Sequence, residues 1–371
     1  MYMEIKPVLN PGAIPSKPDY RAQLVAAAVA ASTSLTAPAL PEALQTDFQK
    51  LGILDQNQTP ACVSHAMANL IKLWYYLKTG TIVNFSPRFL HNLSGLPQYN
   101  GGTTYGPEDG RDPMTVAKIA MQYGCATEAT CPNDTSLPNN VYFSTTAVTP
   151  AAIAEAANYK IPGYVQIPVD QTSFRQAIQK YGGISMLMRI SNSFWTAPNG
   201  TTSYAQADID PIRAPHNAAA IIGGHELIGA GWTNASIEHL VNSWNTNWAE
   251  QGEADYVWSE WQPYIVEALA ITEVDTATLS LIQGLPRAGE FKHNFATTLQ
   301  QGQTSDEVRA LQIALAIDGA FTYPEITGFY GTVTSQAVLA FQTKHGIANS
   351  GTNGTIVGPL TRTQLNTLFN A

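Results

Sequence analysis

Apolar residues recur at helical spacing from Val63 onward: Val63, Ala66, Met67, Leu70, Ile71, Trp74 and Leu77 form one stripe. That pattern predicts a helix with a single buried face, starting at Cys62. A different rhythm governs residues 223–258. Residues 223–232 read as a strand of small and apolar residues with His225 near its start. After a turn around Asn234, the apolar run 237–241 reads as a second strand that leads into Asn242-Ser243-Trp244. Two strands joined this way and paired antiparallel set His225 beside Asn242. Regular signal then fades, and residues 284–290 read as a linker. Helical spacing returns three times near the end: at Val308, Leu311, Leu315 and Ile317; at Ala337, Val338 and Phe341; and at Leu365 and Leu368. The first of these helices opens on a Ser or Thr cap with acids in its first turn. The second and third each follow a similar turn, Thr327-Gly328-Phe329-Tyr330-Gly331-Thr332-Val333-Thr334 and Gly354-Thr355-Ile356-Val357-Gly358-Pro359-Leu360-Thr361.

The chemistry concentrates where the first helix begins. A cysteine in a first helical turn feels the positive end of the backbone dipole, which favours thiolate and makes it a nucleophile near neutral pH. Gln56, six residues upstream, offers a neutral amide donor for an oxyanion. His225 supplies an imidazole, and an asparagine carbonyl at Asn242 fixes its tautomer without adding charge. The expected resting state is a thiolate–imidazolium pair. His65 is the rival base, but one turn along the helix it projects beside the sulfur and is expected in packing or a hydrogen bond. His216 stands on a loop before the strand as a candidate cleft residue. Of the other two cysteines, Cys125 and Cys131 lie close together, and a bridge between them is expected, with two reduced thiols as the alternative. They have no nearby histidines, so no zinc set is expected and no metal or other cofactor is implied.

Gln56, Cys62, His225 and Asn242 match in order and type the oxyanion glutamine, nucleophile, base and orienting residue of papain-like cysteine peptidases. Asn242-Ser243-Trp244 with Trp248 and Gly252 resembles that family's Asn-Ser-Trp-Gly…Trp-Gly…Gly signature. Asp55-Gln56…Cys62-Val63-Ser64-His65-Ala66, residues 14–21, Phe85-Ser86-Pro87-Arg88-Phe89-Leu90 and Asp109-Gly110…Ala117…Tyr123-Gly124 resemble runs of its bacterial branch. The resemblance covers roughly residues 12–275. It implies an α+β, two-lobed fold, with a helical lobe and an antiparallel β-barrel-like lobe, and Trp244 and Trp248 as supports of the substrate cleft. Departures occur at Pro60, Ala61, Val63, Glu226, Asn245 and Ala249, the last two standing where the family has glycines. None removes a catalytic atom; they bear on the shape of the cleft. Glu226, next to His225 on an alternating strand, is expected to point away from it. Residues 298–370 resemble the small three-helix peptidoglycan-binding domain of bacterial and phage cell-wall proteins, by the repeated Gly…Gly-x-x-Thr turns and the Leu311-Gln312 and Phe341-Gln342 pairs.

The expected organisation is an N-terminal arm or pro-segment at 1–40, a peptidase domain at 41–278, a linker at 279–297 and a wall-binding domain at 298–371. A chain of 371 residues with 44% hydrophobic content can hold one large core and one small one. Its net charge of −9 leaves no basic surface for phosphates, so nucleic acid is not an expected partner. The alanine-rich stretch 24–39 makes a poor secretory signal, and no run is long and apolar enough to span a bilayer. These readings converge on a monomeric, cofactor-free cysteine endopeptidase acting on protein or peptide at the bacterial cell wall, outside the cell or released by a phage. Cleavage of the peptide cross-links of peptidoglycan is the alternative substrate. A non-catalytic wall-binding or structural protein on the same scaffold is the alternative class.

Overall fold

The computed structural model describes residues 12–16, 19–21, 24, 39–100, 102, 105–106, 109–194, 211–214, 220–273, 282, 284–286, 288–321, 323, 325–348 and 351–370. The chain divides into two compact units, one of residues 1–17 with 37–273 and one of residues 18–36 with 274–371.

The first unit pairs a helical layer with a sheet. Among the described residues its main helices are α1 (Cys62–Thr79), α2 (Pro87–Ser94), α3 (Pro113–Gln122), α4 (Pro150–Ala156) and α5 (Gln171–Tyr181). Ser86, Asp112, Thr149 and Asp170 each accept a backbone N–H at the start of α2 to α5, and the first three are followed by proline. That is standard start chemistry for a helix. The strands are β1 (Leu44–Gln45), β2 (Tyr164–Gln166), β3 (Ile184–Ser191), β4 (Ile221–Trp232), β5 (Ile237–Val241), β6 (Glu253–Val257) and β7 (Ile265–Ile271). They form one antiparallel sheet in the order β2-β7-β3-β4-β5-β6, with β1 added to β4.

Helix α1 packs against β4 on the sheet side and against α2 and α3 on the other. Its first twelve residues, Cys62 to Leu73, are therefore buried all round, including Ser64, His65, Asn69 and Lys72. Lys72 meets this burial by donating to Leu51 O at 3.1 Å. Leu77, at the end of the predicted stripe, is instead 59% exposed.

In the second unit α6 (Asp306–Asp318), α7 (Thr332–Lys344) and α8 (Pro359–Phe369) surround a core that includes Leu311, Leu315, Val338, Phe341 and Leu365. A short antiparallel pair, β8 (Leu299–Gln300) with β9 (Ile356–Val357), ties its ends together. The repeated sequence pattern has a physical cause here. Gln312 donates to Thr334 Oγ1 at 3.0 Å and accepts from Gly328 N at 2.8 Å; Gln342 repeats the link to Thr361 Oγ1 at 3.0 Å. Each buried glutamine thus fastens its helix to the first turn of the next one, satisfying polar groups that burial would otherwise strand.

Candidate active site

Cys62 is the first residue of α1 and is fully buried. The residue before it, Ala61, provides no side-chain cap, so the amides of the first turn remain available to other acceptors. Backbone groups of Glu226, Gly12 and Val63 favour the Cys62 thiolate. The sulfur therefore lies against the residue that follows His225 in β4. Burial outweighs these donors and pushes the Cys62 thiol up to about 12.

His225 is held from one side only. Its Nε2 lies 2.8 Å from Asn242 Oδ1. That oxygen cannot donate, so the ring proton resides on Nε2 and Nδ1 presents a lone pair. Nδ1 is buried and has no hydrogen-bond partner. The pairing arises from the β4–β5 hairpin, because Asn242 directly follows Val241 at the end of β5. Trp244 lies across the imidazole, ring centroids 4.8 Å apart and planes 30° from parallel. Phe194 meets His225 edge-on and stacks on Trp248, whose indole N–H donates to Phe194 O at 2.7 Å. This aromatic wall removes water from the imidazole, and burial lowers His225 to about 4.

Gln56 reaches the same site through Asn242's neighbour. Its backbone N–H donates to Ser243 O at 2.8 Å, and Ser243 Oγ donates to its side-chain oxygen at 2.6 Å. Its Nε2 donates to Thr59 O at 3.0 Å. A carbonyl can only accept, so this bond fixes the amide's NH2 on the side of the Thr59–Cys62 turn. His65 is engaged elsewhere: Nδ1 donates to Ala61 O at 2.8 Å, and Nε2 lies 3.2 Å from Asn133 Nδ2.

Residues 12–14, which fall in the segment expected as an N-terminal arm or pro-segment, reach the site. They run between two glycine-lined walls. Ala13 N donates to Gly224 O at 3.0 Å, Ile14 N to Arg111 O at 3.0 Å, and Arg111 N to Gly12 O at 2.9 Å. The approach is so close that a Cβ on Gly110 would lie 1.7 Å from Gly12 O, and one on Gly224 2.5 Å from Ala13 O. A segment of so few residues carries no periodicity, and Pro11-Gly12 alone signals only a turn.

Two expectations change. Cys62 and His225 form no hydrogen bond, since His225 Nδ1 has no partner, and burial acts against the charged form of each, where a thiolate–imidazolium pair was expected. Cys125 and Cys131 are free thiols, not a disulfide. The Cys125 sulfur donates to Ser86 O at 3.7 Å and to Ala126 O at 3.5 Å, and burial holds both thiols above their usual range. Asn245 and Ala249 have left-handed backbone, with φ of +57° and +44°. His216 lies outside the described residues. Among the described residues no group of three or more His, Cys, Asp or Glu could hold a metal ion, and no helix is long and apolar enough to cross a membrane.

Residues 304–365 match the family model described as "Putative peptidoglycan binding domain". A stretch of 67 residues is 40% identical to the "Uncharacterized protein in bpoA1 3'region" of Kitasatospora aureofaciens, covering 18% of this chain and 53% of that protein. The chain thus spans about half the length of the curated relative it matches. Among solved structures, xylellain, a cysteine protease from Xylella fastidiosa, superposes with a TM-score of 0.55 at 18% identity, over 71% of this chain and 96% of its own. Procathepsin B S9 from Trypanosoma congolense gives 0.50 at 16% identity, over 71% and 87%. The chain therefore has the papain-like fold of cysteine proteases, and the same sequence carries a peptidoglycan-binding domain at residues 304–365.

Proposed function

We propose that the chain is a cysteine endopeptidase directed to the bacterial cell wall by its C-terminal domain. The observation that carries this reading is the one-sided hold on His225. Asn242 Oδ1 accepts from His225 Nε2–H, Nδ1 is left with a buried lone pair, and the Cys62 sulfur lies against the very next residue.

In this reading the thiol proton of Cys62 passes to His225 Nδ1 as sulfur attacks the substrate carbonyl. The N–H of Cys62 and the second amide hydrogen of Gln56 Nε2 hold the oxyanion. The C–N bond then breaks, and Nδ1 gives its proton to the departing amine, leaving a thioester on Cys62. Water attacks that thioester while Nδ1 takes its proton. The C–S bond breaks, the carboxylic acid product leaves and the thiol is restored. Residues 12–14 hold the described state closed, which accounts for a nucleophile that is buried and neutral. The arm therefore acts as an internal inhibitor.

Substrate protein at the wall is the first expectation. The peptidoglycan-binding match supports the cross-link peptides of the wall as a second one. Zymography against casein and against purified sacculi separates them. Normal turnover by Cys62→Ala, or silence on both substrates together with no thiol-directed labelling of Cys62, overturns the enzymatic reading in favour of a wall-binding scaffold.

A further inference from the structure

Asn245 stands where the papain-like signature has glycine, and its side chain makes bonds that glycine could not. The backbone is left-handed there, with φ of +57°, a conformation asparagine tolerates better than most residues that carry a Cβ. Its backbone N–H donates to Leu54 O at 3.1 Å, and its Nδ2 donates to Asp55 Oδ2 at 3.1 Å. Asn245 Oδ1 accepts from Asn247 N at 2.8 Å, which settles that the NH2 end of the amide faces Asp55. Both bonds land on the two residues that lead into Gln56.

Asp55 uses its other oxygen on the far side of Gln56. Asp55 Oδ1 accepts from Asn57 N at 2.8 Å, closing a turn with Gln56 at its centre. One carboxylate thus grips both the residue after Gln56 and the segment that follows Asn242. The backbone completes this clamp: Asp55 pairs antiparallel with Trp244, and Gln56 N donates to Ser243 O at 2.8 Å. The side chain of Gln56 is bonded at both ends, to Ser243 Oγ and to Thr59 O. Those two bonds turn the amide the right way round. Where residue 56 stands is set by the ladder between residues 54–56 and 243–245, and the Asp55–Asn245 bond is its side-chain rung.

We propose that Asn245 is a positioning residue for the oxyanion site: through Asp55 it holds Gln56 where the second amide hydrogen of Nε2 meets the oxygen of the bond being cleaved. Asn245 touches none of the reacting atoms and acts only through Asp55 and Gln56. This inference rests on the peptidase reading above, in which Gln56 stabilises the oxyanion.

The test uses the full chain and Asn245→Gly. Glycine takes a left-handed backbone without strain, so the variant keeps the fold and loses the side-chain bond. Two reactions at Cys62 separate the roles. Hydrolysis of casein or of sacculi, whichever the unmodified chain cleaves, passes through an oxyanion. Alkylation by iodoacetamide forms a C–S bond as iodide leaves, and no oxyanion arises. Removing an oxyanion donor costs on the order of a hundredfold or more in kcat, and displacing one costs less. Asn245→Gly should therefore lower kcat about tenfold with KM within about twofold, and leave the alkylation rate unchanged. In Gln56→Ala, where the donor is already gone, adding Asn245→Gly should change kcat by less than about twofold. Unchanged kcat in Asn245→Gly overturns the proposal. So does an equal loss with and without Gln56, or alkylation that slows in step with hydrolysis. Casein and sacculi both left intact by the unmodified chain, while iodoacetamide alkylates Cys62, removes the peptidase reading and this inference with it.

Discussion

On the proposed peptidase reading, Gly12→Ala should raise the reactivity of Cys62 and the activity. A Cβ at this position would lie 1.9 Å from Pro60 O, 2.5 Å from Pro60 C and 2.7 Å from Pro60 Cα. These are backbone atoms directly before the nucleophile's helix, so the added methyl can be accommodated only by moving residues 12–14 away. What holds them is three backbone hydrogen bonds, to Gly224, from Arg111 and to Arg111. At about 1 kcal/mol net each they contribute roughly 3 kcal/mol. The open form of the unmodified chain is then on the order of one molecule in a hundred. A reagent that reacts only with the open form is slowed by that fraction. The variant should therefore react about a hundredfold faster with a peptidyl epoxide, and hydrolyse a fluorogenic peptide faster by a similar factor. The thiol's pH profile should move as well. Burial now holds Cys62 at about 12, and removing the cover should bring half-maximal alkylation down toward the ordinary thiol range. Equal rates and superimposable pH profiles for the two proteins would refute the reasoning.

Other substitutions test other links. Asn242→Ala removes the acceptor at His225 Nε2 and should lower kcat about a hundredfold with little change in KM. Kinetics equal to the unmodified chain would show that the tautomer is fixed by something else. Ala249 adopts φ of +44°, which costs an alanine about 1 kcal/mol that glycine avoids. Ala249→Gly should raise the midpoint of denaturant unfolding, and a lower midpoint would contradict the strain. His239 concerns stability. Burial lowers its pKa, but bonds to Asp255 and Glu253, each at 2.9 Å, outweigh that and hold it at about 9. Its folded value lies above the 6.5 of the unfolded chain. The contribution, about 3 kcal/mol, is complete below pH 6.5 and lost as pH rises through 9. His239→Gln should be clearly less stable at pH 6.5, and the gap should narrow by pH 9.5; a gap that stays constant with pH would contradict the pairing.

Much of the first unit was legible because its signals are local. The stripe from Val63 and the apolar run 237–241 fix a helix and a strand at their ends, and the site residues sit at those ends. Cys62 opens α1, and Asn242 closes β5. Gln56 was legible only by its spacing from Cys62; its orientation depends on Ser243, which lies 187 positions away. What the sequence could not convey is burial. The dipole argument for Cys62 is sound for an exposed helix start, yet it loses to desolvation once residues 12–14 cover the sulfur. The same limit applies to Glu226: an alternating strand points it away from His225, as expected, but does not show that it is buried to 1% exposure with only one of its oxygens bonded. Proximity in sequence likewise overstated the Cys125–Cys131 bridge, since each sulfur is served by nearby backbone and side-chain groups instead.

Intact-mass analysis with peptide mapping addresses the central claim most directly, using Gly12→Ala treated with a peptidyl epoxide and the same chain carrying His225→Ala. The account predicts one adduct per chain, located on Cys62, and labelling at least about a hundredfold slower once the imidazole is gone. Adducts on Cys125 or Cys131, or equal labelling of Cys62 without His225, would contradict it.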